Sequence, residues 1–367
     1  MKIAIDISQI AYGTGVSVYT ENLVRTLVKN YPDIHWVLFA GVFRNKKNIE
    51  NFTNDLNVET VVKLFPPKVA NIVWNRLHVF PIERWVGGVD LIHTSDWAEP
   101  PSKIPKVTTI HDLVPILFPE TSTKLIRDAH ERKLHWVRRE SEKILAVSHS
   151  TKKDIVECLN IPANKIEVTY EGVDPIYYPQ SETEIKRVQH KYQINGDYVF
   201  SLSTVEPRKN FKRLIESYKM VLRKLPKLKL VIAGKVGWGE LPELSKNIIF
   251  LGYVPTEDLP ALYSGALCYA LPSFYEGFGL SQLQAMSCGT PVVSSNVSSI
   301  PEVVGSAGIL VNPNETDKIA EGVVLAIRNR KELVEKGLKQ AKKFSWDTVA
   351  RITFESYMSV LHTGKSI

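Results

Sequence analysis

The stretch Pro272–Met286, PSFYEGFGLSQLQAM, shows most directly how the chain folds. It follows the apolar run Leu267–Leu271, LCYAL, which predicts a buried strand, and it continues into a helical pattern. Gly277 and Gly279 flank Phe278 in the turn, so the backbone can approach a ligand closely. The N-terminus of the helix directs N–H groups to the same place, where a phosphate can bind. This unit predicts a parallel α/β sheet with a ligand site at its carboxyl edge.

Short β-branched runs alternate with longer helical patterns along the whole chain. One series starts at Lys2–Ile7, and a second restarts at Tyr198–Leu202 after a polar, charged stretch. We therefore predict an α/β protein with two facing, doubly wound parallel-sheet domains and a ligand-binding cleft between them. The predicted parts are a first domain at 1–175, a linker at 176–197, a second domain at 198–345, and a C-terminal helix at 346–367 that packs back toward the first domain.

Composition limits the class of protein. The chain has 367 residues, of which 44% are hydrophobic and 23% charged, and this usage excludes a disordered chain or a disulfide-stapled miniprotein. The net charge of +7 suits an anionic ligand or membrane surface and does not require nucleic acid, so we expect no nucleic-acid partner. No apolar run reaches the ~18–20 residues of a membrane span. We expect a cytoplasmic protein, with peripheral contact at the inner face of the membrane as an open alternative.

Two cations follow the first strand of the second series. The segment Ser203–Asn210, STVEPRKN, places Arg208 and Lys209 in a loop that leads into a helix. The helix dipole disfavours cations at this end unless an anion is present. A planar guanidinium beside a compact ammonium suits a diphosphate. A solvated pair of surface charges is the alternative.

Glu276 and Gln284 are the polar side chains of the glycine-flanked turn and its helix. Glu276 precedes the helix, and its carboxylate can accept hydrogen bonds from sugar hydroxyls. Gln284 lies within the helix and can reach a further hydroxyl. The alternative is an ordinary strand–turn–helix unit with a capping glutamate.

The first loop of the chain contains Gly13 and Gly15, directly before a helix. Backbone N–H groups there can face an anion. The spacing is not GxGxxG, because Val18 stands where the third glycine would be, and this disfavours a dinucleotide cofactor. A flexible surface turn remains the alternative.

His111 follows the predicted strand KVTTI and would face the cleft. The next residue, Asp112, can orient the imidazole or cap the following segment. A fully hydrogen-bonded structural histidine is the alternative. His93, at the end of another strand, is a weaker candidate for the same reason.

Together these motifs resemble those of retaining glycosyltransferases of family 4, which have the GT-B fold of two facing Rossmann-like domains. The matching pieces span nearly the whole chain and include HDLVPILFPE, AVSHSTKKDI, EGVDPIYYP, TVEPRKN, FLGYVPTEDLPALYSGA and PSFYEGFGLSQLQAMSCGTPVV. The subgroup that it resembles is the mannosyltransferases of bacterial polysaccharide and lipopolysaccharide O-chain synthesis. The resemblance implies transfer of a hexose, with mannose favoured, to a saccharide or lipid-linked acceptor. It implies a nucleotide-sugar donor and neither a cofactor nor a metal ion; GDP-mannose is favoured, and UDP-glucose or another UDP-sugar is the alternative.

The resemblance also implies roles for single residues. His111 would contact the transferred sugar, Arg208 and Lys209 would hold the diphosphate, and Glu276 would bind sugar hydroxyls. The implied donor-binding positions are Gly13, Gly15, Thr204, Val254 beside the nucleobase, Gly277, Phe278, Gly279, Leu280 and Gln284. The family carries a second glutamate where this chain has Gln284. Because Gln284 loses a charge-assisted hydrogen bond worth about 1–2 kcal/mol more than a neutral one, we expect weaker donor binding.

The implied chemistry is attack on the same face of the sugar, with the leaving phosphate oxygen removing the acceptor proton. Only Glu276 stands out as a well-placed carboxylate, which does not suit a two-carboxylate scheme. The basic helix Lys124–Arg139 either lies on an anionic membrane, where it would meet a lipid-linked acceptor, or is a solvated face over core residues. A nucleotide-sugar epimerase and a non-catalytic sugar-nucleotide-binding protein remain alternative functions.

Overall fold

The computed structural model describes residues 1–94, 97–239 and 245–363. Its contacts divide the chain into two units. The first unit is Met1–Gly172 together with the C-terminal segment that starts at Ser345, and the second is Val173–Phe344. Each unit contains a parallel sheet with helices, so the predicted fold class is confirmed. No helix in the described ranges is long and apolar enough to cross a bilayer.

In the described part of the first unit, seven parallel strands form a sheet in the order β3-β2-β1-β4-β5-β6-β7. The strands are β1 (Lys2–Asp6), β2 (His35–Val42), β3 (Glu59–Leu64), β4 (Leu91–Thr94), β5 (Lys106–Ile110), β6 (Ser141–Ala146) and β7 (Ile166–Val168). The α-helices are α1 (Gly15–Asn30), α2 (Lys46–Asn54), α3 (Pro67–Ala70), α4 (Glu83–Val86), α5 (Val114–Leu117), α6 (Lys124–Glu140), α7 (His149–Leu159) and, from the C-terminal segment, α15 (Trp346–Thr363). A π-helix, Asn71–Arg76, continues α3.

The central strands of this sheet are apolar along almost their whole length because helices cover both faces. Phe39 of β2 packs against Trp74 and stacks on Trp85 on one side of the sheet. The C-terminal helix α15 packs on α1, where the rings of Tyr31 and Phe354 stack at 3.8 Å between centroids. Helix α15 is therefore part of the first unit.

In the described part of the second unit, six parallel strands have the order β10-β9-β8-β11-β12-β13. The strands are β8 (Tyr198–Leu202), β9 (Lys229–Ala233), β10 (Ile248–Gly252), β11 (Cys268–Leu271), β12 (Val292–Ser295) and β13 (Ile309–Val311). The helices are α8 (Glu182–Lys191), α9 (Phe211–Val221), α10 (Leu259–Ser264), α11 (Leu280–Ser287), α12 (Ile300–Val304), α13 (Thr316–Arg328) and α14 (Arg330–Ala341).

The stretch 176–197, expected to link the domains, lies in the second unit and contains helix α8. The carboxylate of Asp258 is buried beside this helix, where it pairs with Lys191 at 2.5 Å and accepts a hydrogen bond from the Tyr192 hydroxyl at 2.7 Å. These polar contacts attach α8 to its unit, although only Val188 of the helix is buried.

The register of the second sheet determines where its loops emerge. Strand β11 lies beside β8, with Cys268 opposite Val199. Since the two strands are parallel, the loops that follow them, Ser203–Asn210 and Pro272–Gly279, leave the same edge of the sheet next to each other.

Replacing Tyr357 with Phe tests the attachment of α15. The Tyr357 hydroxyl lies 2.6 Å from Nδ1 of the buried His93, and its removal leaves that ring nitrogen without its partner. We expect a loss of about 1–3 kcal/mol, seen as a lower thermal unfolding midpoint. The matched change Tyr178→Phe, at an exposed position, is expected to leave the midpoint unchanged. An unchanged midpoint for Tyr357→Phe would contradict this account.

Candidate functional site

The two loops after β8 and β11 are joined by backbone and side-chain hydrogen bonds. The Phe274 N–H donates to the Arg208 carbonyl oxygen at 2.9 Å. Asn210, in the left-handed conformation at the start of α9, donates through Nδ2 to the carbonyl oxygens of Pro272 and Pro313 at 2.9 and 2.8 Å. The Asn210 side chain thus ties the loop after β8 to the loop after β11.

Arg208, Lys209 and Glu276, predicted from separate motifs, converge at this edge. Lys209 Nζ lies 2.8 Å from both carboxylate oxygens of Glu276, and an Arg208 guanidinium nitrogen lies 3.2 Å from one of them. All three side chains are nearly buried, with 10–13% of their surface exposed. We call these three residues the cation–carboxylate cluster.

Arg208 has a second acidic partner, Glu206. The guanidinium lies 2.5 Å from a Glu206 carboxylate oxygen and also donates to the Tyr275 carbonyl oxygen at 2.6 Å. Sequence reasoning missed Glu206, although it stands two residues before the arginine and could have been noticed as its neighbour. The turn at Pro207 brings the Glu206 carboxylate back onto the guanidinium, so Arg208 lies between two carboxylates.

Hydroxyl groups hold the Glu276 segment in place. Ser273 Oγ donates to the Glu276 carboxylate at 2.6 Å, and the Glu276 N–H donates to Ser298 Oγ at 3.0 Å. Ser299 Oγ lies within hydrogen-bond distance of the carbonyl oxygens of Glu276 and Phe278. The carboxylate is therefore positioned before any ligand binds.

The charges of the cluster depend on one another. Burial by itself would raise the pKa of Glu276, but the charges of Lys209 and Arg208 outweigh it and lower that pKa to about 2. Burial and the neighbouring Arg208 lower the pKa of Lys209, while Glu276 opposes this. The carboxylate is ionised at neutral pH. Its stabilising pairs are complete above the ordinary carboxyl pKa and are lost only as the pH falls toward about 2.

The glycine turn adopts a conformation that other residues rarely accept. Gly279 has φ +116° directly before α11, and a Cβ there would lie 2.9 Å from Ile300 Cδ1. Phe278 is buried and packs against Phe344 at 5.7 Å between ring centroids. Of the donor-binding positions predicted here, Phe278 therefore offers backbone only, and Gly277 and Leu280 are partly exposed on either side of it.

Three further predicted donor-binding positions lie in the second unit. Gln284 is buried in α11, and its Oε1 lies 3.2 Å from the Tyr263 hydroxyl, which donates to it. The oxygen expected to accept from a donor hydroxyl therefore already has a protein partner. Val254 is buried just after β10, so its backbone is the part suited to a ligand. Thr204 is exposed after β8.

In the first unit, Gly13 and Gly15 flank the start of α1. Gly13 has φ +61°, and an added Cβ at either glycine would meet no atom within 4 Å. The N–H of Thr14, between them, donates to Ser17 Oγ at 2.9 Å in a capping box. The loop has open space for a ligand, as a surface turn would also have.

His111 lies at the end of β5, largely buried. Its Nδ1 is 3.6 Å from a carboxylate oxygen of Glu171, and its ring meets Tyr19 edge-on at 4.7 Å. Glu171 was missed by sequence reasoning; its signal was an acidic residue soon after strand β7. Asp112 caps the next segment by accepting from the Val114 N–H at 3.0 Å.

His93 is a structural histidine. Its two ring nitrogens lie 2.6 Å from the Tyr357 hydroxyl and 2.8 Å from Thr109 Oγ1. Burial, with the neighbouring charges of His111 and Lys133, lowers its pKa to about 3, so the ring is neutral.

No three His, Cys, Asp or Glu side chains within 1–94, 97–239 and 245–363 are grouped as metal ligands. That the reaction needs no metal ion stays a prediction, as do the roles of the site residues above.

Comparison with known proteins identifies the family of this chain. Residues 13–176 match the family described as Glycosyltransferase Family 4, and residues 182–344 match the family described as Glycosyl transferases group 1. The chain belongs to glycosyltransferase family 4. The resemblance inferred from the motifs and the assignment as an enzyme are therefore confirmed.

Two curated relatives of this glycosyltransferase come from Escherichia coli. The chain is 38% identical to O-antigen chain mannosyltransferase B over 264 residues, which cover 68% of this chain and 69% of that protein. It is 29% identical to the serotype-specific mannosyltransferase WbdA over 71% of this chain, and spans only 34% of WbdA. Among solved structures, Anabaena Alr3699/HepE in complex with UDP and glucose matches with a TM-score of 0.73 at 21% identity, covering 98% of this chain and 100% of that one; this likeness shows the fold.

Replacing Gly279 with Ala tests the glycine turn. The positive φ and the short contact to Ile300 predict a loss of about 1–3 kcal/mol in stability, measured as a lower thermal unfolding midpoint. Gly88→Ala is the matched control, because a Cβ there meets nothing within 4 Å and the backbone carries no positive φ. Equal midpoints for the two variants would argue against a strained turn.

Proposed function

We propose that this glycosyltransferase transfers mannose from GDP-mannose to a saccharide or lipid-linked acceptor in the synthesis of a bacterial O-antigen or related polysaccharide. The convergence of Arg208, Lys209 and Glu276 on one edge of the second sheet is the observation that supports donor binding. The mannosyltransferase names of the two Escherichia coli relatives support the choice of sugar.

The cation–carboxylate cluster suits a leaving nucleoside diphosphate. When the bond to the sugar breaks, negative charge develops on the diphosphate, and cations held in a nearly buried site stabilise it more strongly than cations in water. An ammonium has three N–H donors, and Lys209 directs its contacts at the two oxygens of Glu276, so a third donor is available to a phosphate oxygen.

The state of Glu276 favours same-face transfer with retention of the anomeric configuration. Ser273 and Lys209 bind one carboxylate oxygen, and Lys209 and Arg208 bind the other. A carboxylate with so low a pKa and so many donors is a poor nucleophile and a poor base. Its suitable role is to bind sugar hydroxyls, which leaves the departing phosphate oxygen to take the acceptor proton.

His111 is proposed to contact the transferred sugar. Glu171 lies near one nitrogen of its imidazole and Tyr19 supports the ring, so the side chain is oriented. An imidazole that carried positive charge would stabilise an oxocarbenium-like sugar less well than a neutral one, because like charges repel. The nearby Glu171 carboxylate offsets positive charge on the imidazole. The same proposal includes that the transfer needs no metal ion.

A UDP-sugar is the alternative donor, since the solved relative HepE is described in complex with UDP and glucose. Thermal unfolding with each donor separates the two. GDP-mannose is expected to raise the midpoint more than UDP-glucose at equal millimolar concentration, because stabilisation follows RT ln(1 + [L]/Kd). Gln284→Glu is expected to increase the shift by restoring a charged acceptor. A larger shift with UDP-glucose would contradict the choice of donor.

Arg208→Ala and Lys209→Ala test the diphosphate clamp. Each is expected to lower kcat/KM for mannose transfer by at least tenfold, or about 1.4 kcal/mol, because stabilisation of the leaving group is lost. Lys212→Ala, one turn away on an exposed face of α9, removes the same charge outside the cluster and is expected to retain activity. A fall of less than tenfold in the cluster variants would refute the proposed binding of the diphosphate by Arg208 and Lys209.

Donor turnover without any acceptor would instead indicate an epimerase. Donor binding without turnover would indicate a non-catalytic protein.

A further inference from the structure

Gln284 and Tyr263 form a buried polar pair in the second unit. Gln284 lies in α11, the helix that follows the Glu276 turn, and Tyr263 lies in α10, which follows Val254, the position predicted beside the nucleobase. Gln284 is 6% exposed, and Tyr263 is fully buried. The contact between them, from the Tyr263 hydroxyl to Gln284 Oε1 at 3.2 Å, determines which way the amide group faces.

The Tyr263 hydroxyl is held in place as a hydrogen-bond donor. Its ring packs against Phe200 and Tyr269, at 5.1 and 5.4 Å between ring centroids. Burial raises the pKa of this phenol well above its usual range, so the hydroxyl keeps its proton at neutral pH. A buried O–H group needs an acceptor, and within the described ranges Gln284 Oε1 is the acceptor that it has. The amide oxygen therefore faces Tyr263, because the amide nitrogen only donates.

The amide nitrogen of Gln284, Nε2, has no hydrogen-bond partner among the described residues. It is not one of the fully enclosed unpaired atoms in that part of the chain, so it borders open space. Gln282, in the same helix, differs: its Oε1 accepts from Ser281 Oγ at 3.0 Å, and its Nε2 donates to Ser294 Oγ at 3.1 Å. Both ends of Gln282 are thus bonded within the protein, whereas the N–H groups of Gln284 are free to bind a ligand.

We propose that Tyr263 makes Gln284 a hydrogen-bond donor toward the nucleotide sugar, so that this position recognises the lone pair of a ribose hydroxyl oxygen. This recognition rests on the proposed binding of a nucleoside diphosphate at this edge of the second sheet. Gln284 contacts the helix after Val254 on one side and follows the Glu276 turn on the other. The ribose joins the nucleobase to the diphosphate, so its hydroxyls are the groups that Gln284 can reach.

A glutamate at position 284 would have the opposite preference. Carboxylate oxygens only accept, so with one of them bonded to Tyr263 the other would require a hydroxyl proton. A ribose hydroxyl can serve either side chain, because it both donates and accepts. Groups that only accept or only donate distinguish the two arrangements. Gln284 is thus a specificity-determining residue, and Tyr263 is its positioning residue.

Two kinds of ribose analogue of GDP test the direction of this hydrogen bond. In 2′-deoxy-2′-fluoro-GDP and its 3′ counterpart, the fluorine accepts and cannot donate. In 2′-amino-2′-deoxy-GDP and its 3′ counterpart at pH 5, the ammonium donates and cannot accept. At one of the two ribose positions, we expect the unmodified enzyme to bind the amino analogue about tenfold more weakly than the fluoro analogue at the same pH, by titration calorimetry.

Tyr263→Phe tests the positioning role without changing any charge. Once the hydroxyl is removed, the amide can turn its oxygen to the ligand, so we expect the ratio of the two dissociation constants to fall to about threefold or less. GDP itself should bind nearly as before, because a hydroxyl can bond to either end of the amide. Tyr218→Phe is the matched control. It removes another buried hydroxyl of the second unit, which donates to the Leu228 carbonyl oxygen at 2.6 Å, and it should keep the ratio of the unmodified enzyme.

Gln284→Glu supplies a second, independent variant. It is expected to bind GDP more tightly and to prefer the amino analogue over the fluoro analogue, which reverses the order of the unmodified enzyme. An equal ratio in the unmodified enzyme and Tyr263→Phe at both ribose positions, or a preference of the unmodified enzyme for the amino analogue at both, would overturn the proposal. If the enzyme binds UDP more tightly than GDP, the uridine analogues are used. Failure to bind either GDP or UDP would refute the proposed donor binding, and this recognition with it.

Discussion

The attraction between one nearly buried carboxylate and two nearly buried cations is the constraint on which the candidate site depends. Glu276 would be costly to bury as an anion without Lys209 and Arg208, and the two cations would repel each other without Glu276. The three charges therefore require one another. The loops that carry them are arranged to meet this requirement, through Asn210 on one side and the serines around Glu276 on the other.

This balance of charge also explains how the site can bind an anionic donor although its cations are already paired within the protein. Cations that are already paired are kept in position, so binding a diphosphate needs little reordering of long side chains. The carboxylate stays ionised because its pKa is low, and it keeps its hydrogen-bond acceptors directed at hydroxyl groups. Gln284 differs from Glu276: it is a neutral residue, and its buried amide oxygen accepts a hydrogen bond from Tyr263 within the protein.

Much of the fold and part of the site followed from local patterns. Alternating strands and helices predicted two parallel sheets, and the loops bearing Arg208 and Glu276 were each predicted to follow a buried strand. Glu206 and Glu171 were missed, since their importance lies in what folding brings within reach of Arg208 and His111. Helix α8 was obscured by its charged composition. The exposure of Leu64 could not be predicted either, because the sequence does not show whether packing covers an apolar side chain.

The return of helix α15 to the first unit has a consequence for biosynthesis. Residues 173–344 form their own unit, and its two ends lie together, since the Val173 N–H donates to the Phe344 carbonyl oxygen. A ribosome completes this inserted module before it releases the helix that the earlier module needs. The order of folding should thus be the reverse of the order in which the two modules begin: the module begun second closes first, while the first waits until α15 has been synthesised.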